Sequence, residues 1–336
     1  MKRTSVALML AGMVALAAPA DQVVSLLRGL RPSAPAVHGN LAVFLLTGPA
    51  TGSRDYVTLD RAISKGWVEV EEKEGGEVNT VRVRNKSSQR VFGLAGEMIT
   101  GAKQTRMLQQ DVLLPAKSAW LDLPVYCVEH GRWHGESDRF GSKGQIVAGR
   151  VRGNAANNQS QGEVWAEVSR SNADLGIVTG TDRFDAVFED EKVQGRLEEY
   201  RRGLGESVPA LKPDAIGVAV AVGDRLVCVD IFCSPAMFRK MWPRLLESYV
   251  VDALASTPTG KLSAGEVSDF LAEAAAAPIV SQPTVGSGQL LRIDGADLAG
   301  SALVSGSEVV HLDLFPGEQT DPGPLRLDIR RNGSRR

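Results

Sequence analysis

Residues 215–232 read AIGVAVAV, then Gly-Asp, then RLVCVDIF, the clearest β-hairpin in the chain. A two-residue turn with glycine in front suits a type II′ reversal, whose twist matches the antiparallel strands on either side. Any fold for this chain must therefore accommodate an antiparallel sheet. In the second strand, alternation puts Asp230 on the same face as Leu226, Cys228 and Phe232. A carboxylate on an apolar strand face is costly unless paired. Asp230 thus stands either near the strand's exposed end or against a buried cation such as Lys103 or Arg132.

The same texture fills residues 41–130. LAVFLLT (41–47), WVEVEEK (67–73) and NTVRVRN (79–85) are short runs rich in β-branched residues, with glycine, asparagine and serine between them. Val81 and Val83 alternate with Arg82 and Arg84, so that strand has one buried and one wet face. Short strands at regular spacing predict a sandwich- or barrel-like unit. Residues 131–170 are polar and glycine-rich and read as long loops, with one short helix carrying Val164, Trp165 and Val168 behind a Ser160/Glu163 capping box. Residues 171–315 read as mixed α and β. Phe184, Val187, Phe188, Val193, Leu197, Tyr200 and Leu204 recur at helical spacing. Ser234-Pro235 opens a helix that Pro243 should kink, and Ser263 with Glu266 caps another. The expected class is α+β, a β-rich unit packed on a C-terminal part with a hairpin and three helices.

Lys2 and Arg3 precede an apolar run, Val6 to Ala17, too short for a comfortable membrane span. Ala18-Pro19-Ala20 follows with small residues at the −3 and −1 positions of a cleavage site. Residues 1–20 therefore read as a secretory signal peptide, 21–40 as a short helix and linker, and 316–336 as a flexible basic tail. A net charge of −2 gives no general case for binding nucleic acid or an anionic membrane, and 43% hydrophobic with 23% charged residues is ordinary for a folded soluble protein, so the leader makes the expectation an exported one. Three cysteines do not make a disulfide scaffold.

The stretch PVYCVEHGRWH (124–134) concentrates functional side chains. Cys127, His130 and His134 offer zinc-type donors, but only half of a paired-ligand motif is visible. Cys127 as a nucleophile needs a base beside it, and a strand running to Glu129 places that carboxylate on the sulfur's side, which raises the thiol pKa. A ligand-gripping turn asks less: Arg132 offers a planar fork for phosphate, Trp133 a face for stacking, and Glu129 an acceptor for ribose hydroxyls or a general base. A purely structural Arg132–Glu129 pair is the alternative. In GEMITGAKQTR (96–106), Lys103, Gln104 and Arg106 follow glycines that permit close backbone approach to a phosphate, although the spacing is not that of a P-loop.

Taken in order, Gly96-Glu97, Gly101-Ala-Lys-Gln104 with Arg106, Pro124-Val125, Cys127 to Glu129, Gly131 to Trp133, Gln161-Gly162 and Val164-Trp165 resemble one family. So do Asp230 and Phe232, Gly286 and Gly288 before Arg292, and His311. It is the uncharacterised domain named for its association with ADP-ribosylglycohydrolases and rhodanese/phosphatase-superfamily proteins, and the resemblance runs from about residue 40 to about residue 315. It implies a connection with ADP-ribose or another nucleotide-like phosphorylated compound. Glu129 and Cys127 are then the catalytic candidates, and Glu97, Lys103, Gln104, Arg106, Arg132, Trp133, Gln161, Trp165 and Asp230 the ligand-binding ones. No cofactor follows from these motifs. The rival class is a non-enzymatic exported interaction module in which the same residues hold long loops together.

Overall fold

The hairpin forms as its sequence predicts. Ala215–Val222 and Arg225–Phe232 pair antiparallel around Gly223, whose φ of +62° is what the first position of a II′ turn requires. In this computed structural model, which describes residues 18–317 apart from 136, 206 and 257–259, they are central strands of a nine-stranded antiparallel sheet. Its order is Arg31–Pro32, Leu41–Thr47, Ala215–Val222, Arg225–Phe232, Glu308–Pro316, Leu298–Ser305, Gln289–Asp294 and Ile279–Gln282, with Ala36–His38 also paired to Leu41–Thr47.

Both faces of this sheet are covered, which is why 41–47 and 215–222 are almost continuously apolar. Helices Pro19–Gly29 and Ala264–Ala276 bury Val23, Leu26, Leu27, Val267 and Leu271 against Phe44, Leu46, Ile216, Val229 and Ile231. On the other face, Pro235–Leu254 brings Met237, Phe238, Leu245 and Tyr249 against Val43, Val218, Val220 and Phe232. Ser234 Oγ accepts from Met237 N, and the Ser263/Glu266 capping box closes reciprocally. Pro243 sits inside one continuous helical segment. The leader expected over residues 1–20 and the tail over 316–336 fall largely outside the described residues, and helix already begins at Pro19. No helix among the described residues is long and apolar enough to cross a membrane.

Residues 57–141 build the β-rich unit. A six-stranded sheet runs Phe140–Gly141, Met98–Gly101, Arg106–Leu108, Leu121–Cys127, Thr80–Asn85 and Val68–Glu72, and a three-stranded sheet (Val112–Leu114, Val91–Gly93, Val57–Thr58) packs with it. A bridge between Glu71 and Arg139 joins the two ends of the larger one, giving a nearly barrel-shaped wall. Val81 and Val83 point into its core while Arg82 and Arg84 pair outside with Glu71 and Glu69.

Three expectations are corrected. Residues 131–170 are not mainly loop: Gly149–Asn158 is helical, and the Gln161–Leu175 helix is longer than foreseen. The helix expected over 184–204 divides into a 3-10 segment, Phe184–Phe188, and a helix Glu191–Leu204 capped by Asp190. In the hairpin, Val220 pairs with Cys228 but Ala221 with Leu226, so Val227 is an extra residue and Leu226 turns to the opposite face from Cys228 and Asp230.

Candidate functional site

Most of the expected site residues do come together, at one end of the six-stranded sheet. Cys127 pairs with Arg106 across neighbouring strands, and the Gln161 amide extends that ladder by accepting from Cys127 N and donating to Cys127 O, both at 2.8 Å. The ordered strand stops at Cys127, so the alternation expected to reach Glu129 does not hold. The sulfur donates to the Glu129 backbone oxygen (2.8 Å), not toward its carboxylate. Burial pushes the Cys127 thiol pKa up.

The Glu129 carboxylate accepts from Thr105 N, Thr181 Oγ1 and, in bidentate fashion, from Arg132 Nε and Nη2 at 2.8–2.9 Å. Burial would raise its pKa, but these donors outweigh that and hold it below the usual carboxylate range. Arg132 Nη1 donates to Ala102 O and His134 O. Every nitrogen of Arg132 is therefore engaged within the turn. Lys103 reaches Gly75 O, and its ammonium and the buried Arg106 guanidinium lie 5.3 and 5.6 Å from the ring centre of Trp133, a residue 45% exposed. Gln104 ties Arg106 to the Glu129 backbone. Trp165 lies edge-on to His130 at 4.5 Å. The Glu129–Arg132 pair is thus fully engaged, and its carboxylate is neither raised in pKa nor short of donors, whereas Arg106 Nε and Nη2 and Trp165 Nε1 beside it are buried without a hydrogen-bond partner.

Glu97 and Asp230 lie elsewhere. Glu97 is fully buried and accepts from Asp60 N, Leu94 N and Arg244 Nη1. Asp230 is fully buried too, so it does not mark an exposed strand end, and its cation is neither Lys103 nor Arg132. Arg152 clamps it with Nη1 at 3.0 Å and Nη2 at 2.6 Å, Tyr249 Oη donates at 2.6 Å, and His311 Nε2 lies 3.2 Å away. His311 Nδ1 meets Asp111 at 2.6 Å. Burial works against protonating His311, yet Asp111 and Asp230 prevail and hold its pKa up at about 10. Asp230 is itself held well below the usual range, its burial outweighed by Arg152 and His311.

Asp230 is one position in a polar rung that crosses four strands. Arg292 is opposite Ser301, Ser301 opposite Asp313, and Asp313 opposite Asp230. The adjacent rung on the same face is Leu290, Leu303, His311 and Phe232. Arg152 reaches the rung from the Gly149–Asn158 helix, and Gly96 lets it pass: a Cβ on Gly96 would lie 2.6 Å from Arg152 Cγ. Over the rung opens a cleft with a cavity volume of about 100 Å³ and with Gln110, Tyr126, Arg152, Arg292, Ser301 and Asp313 in its lining. Arg152 Nε and Gln110 Nε2 are buried donors without a partner.

A family model, the ARG and Rhodanese-Phosphatase-superfamily-associated Protein domain (ARPP-1), matches residues 29–315. The chain belongs to the ARPP-1 family. No curated protein and no solved structure matches it. The ARPP-1 segment takes in both the Glu129–Arg132 turn and the rung with its cleft.

Sequence reasoning missed Arg152, Asp313, Asp111 and Tyr249 in this ARPP-1 chain. A signal for Asp313 was present: VVHLDLF, like LVCVDIF, places a carboxylate within an apolar strand. Arg152 had none, because its helix reads GRVRGNAANN and takes its cap from Asp252, whose carboxylate accepts from Gly149 N and Arg150 N at 2.7 and 3.1 Å.

Proposed function

We propose that this ARPP-1 chain is an exported binding domain for a small phosphorylated, nucleotide-like ligand, seated in the cleft over the Arg292–Ser301–Asp313 rung. The observation that carries the reading is that the cleft lining contains buried donors with no partner, Arg152 Nε and Gln110 Nε2, beside a second arginine, Arg292. The Arg152 fork itself holds Asp230, and Arg292 donates to Asp294 and Ala156 O, so the contacts on offer to a phosphate oxygen are single N–H donors and not a free fork. Leu290 and Phe315 give the same cleft an apolar wall for a ring. The proposed site therefore shifts from the Arg132–Trp133 turn to the other side of the same strand, where Tyr126 faces the cleft and accepts from Gln109. ADP-ribose is the probe of choice because of the family's named association, and export rests on the leader-like residues 1–20.

A second reading, a non-enzymatic interaction module, draws support from the internal saturation of Glu129 and Arg132. Calorimetric titration of ADP-ribose separates the two. Micromolar binding weakened at least tenfold by Arg292→Ala or Gln110→Leu, about 1.4 kcal/mol, and unchanged by folded Arg132→Ala, supports the cleft. No binding up to millimolar ligand sinks it and leaves the interaction module.

A further inference from the structure

An anion entering this cleft meets a floor already crowded with carboxylates. Asp111, Asp230 and Asp313 stand against Arg152 and His311, so three ionised acids would face two cations and leave one negative charge uncompensated. The three acids are not equally well held. Asp230 has the bidentate Arg152 and His311, and Asp111 has His311 at 2.6 Å. Among the described residues, Asp313 touches a cation only through Arg152 Nη2, at 3.4 Å. It is also the acid that lines the cleft.

The two oxygens of Asp313 differ as well. Ser301 N and Ser301 Oγ both donate to Oδ1 at 2.9 Å, which leaves Oδ2 as the atom for a proton. We propose that the ligand presents an oxyanion to Arg152 over this rung and that Asp313 enters the complex in its acid form, taking one proton from solvent as the ligand binds. This rests on the binding site argued above and names the contact that selects the ligand there. In the complex the Asp313 hydroxyl donates to the oxyanion, Arg152 no longer divides its charge between two carboxylates, and the floor becomes neutral.

The groups facing Asp313 agree with that assignment. They are Arg152 from its helix, Asp230 and Cys228 from the hairpin strand, Tyr249 through Asp230, Asp111 from the β-rich unit, His311 on its own strand and Arg292 along the rung. Burial, then the Asp111 charge, raise the Asp313 pKa, while Asp230 is lowered, the divergence expected where like charges share a site.

The test needs no mutation to begin with. ADP-ribose is titrated into the full chain near neutral pH in phosphate-free buffers of low and high ionisation enthalpy, and the dependence of the observed heat on buffer counts the protons taken up. The expected result is net uptake approaching one proton, with affinity falling by up to about tenfold per pH unit as pH rises. Asp313→Asn should still bind but take up no proton and show a flat pH profile. Binding by the unmutated protein without proton uptake, or uptake that persists in Asp313→Asn, overturns this inference while the binding site stands. Absence of any binding overturns the site itself, and this inference with it.

Discussion

Asp230 and Asp313 face each other directly across two neighbouring antiparallel strands, and the Arg152 guanidinium reaches both. Like charges opposed in a sheet are destabilising, so this pairing depends on the cation between them. Arg152→Met should cost about 3–5 kcal/mol, the usual result of leaving one partner of a buried ion pair uncompensated. Denaturant unfolding of the variant measures it; a loss under about 1 kcal/mol would mean the carboxylates are neutral without Arg152.

The charge on His311 gives stability a pH dependence of definite sign. Its folded pKa of about 10 lies above the ordinary imidazole value of 6.5, so between those values the folded chain holds a proton that the unfolded chain releases. The contribution is complete below about pH 6.5 and is lost as pH rises through 10, at no more than about 1.4 kcal/mol per pH unit. Unfolding curves from pH 6.5 to 10 should show that decline, and His311→Gln should flatten it.

The Glu129–Arg132 pair should behave as structure. Arg132→Ala leaves a buried carboxylate with only Thr105 and Thr181 as donors, and a cost of about 1–3 kcal/mol is expected. Arg132→Lys should recover little, since an ammonium cannot reproduce the bidentate fork. Paired melting curves and ADP-ribose titrations would show stability lost and affinity kept.

All three cysteines are free and buried, and burial comes first among the causes that raise each thiol's pKa, with Cys233 pushed up to about 12. A thiol reagent at neutral pH should label none of them in the folded protein and all three after denaturation. Rapid native labelling at Cys127, read by mass spectrometry, would reopen the case for it as a nucleophile.

Local chemistry made parts of this fold legible. The Gly223-Asp224 turn, the Ser234 and Ser263 caps and the Val81/Arg82 alternation each act through neighbours a few residues away, and each was readable. The Gly149–Asn158 helix was not, because its stabilising carboxylate comes from Asp252 on another helix. The Val227 bulge likewise follows from the register of pairing and not from composition. The site divides the same way. The residues of the 127–133 turn meet because they are close in sequence, held by the Arg106–Leu108 strand on one side and by residues 181–183 on the other. The rung combines residues 152, 230, 292, 301 and 313, whose meeting only the tertiary fold determines.

Thr47 and Ala215 are paired partners in the large sheet, so everything between them leaves from and returns to one place on its edge-to-edge order. A chain emerging from synthesis cannot complete that sheet until its last strand, Glu308–Pro316, arrives beside Arg225–Phe232. Early structure is confined to pieces such as the β-rich unit, while the central sheet waits for nearly the whole polypeptide. Such long-range pairing makes folding slow. A nascent chain that stays open until late gives chaperones a long interval in which to hold it.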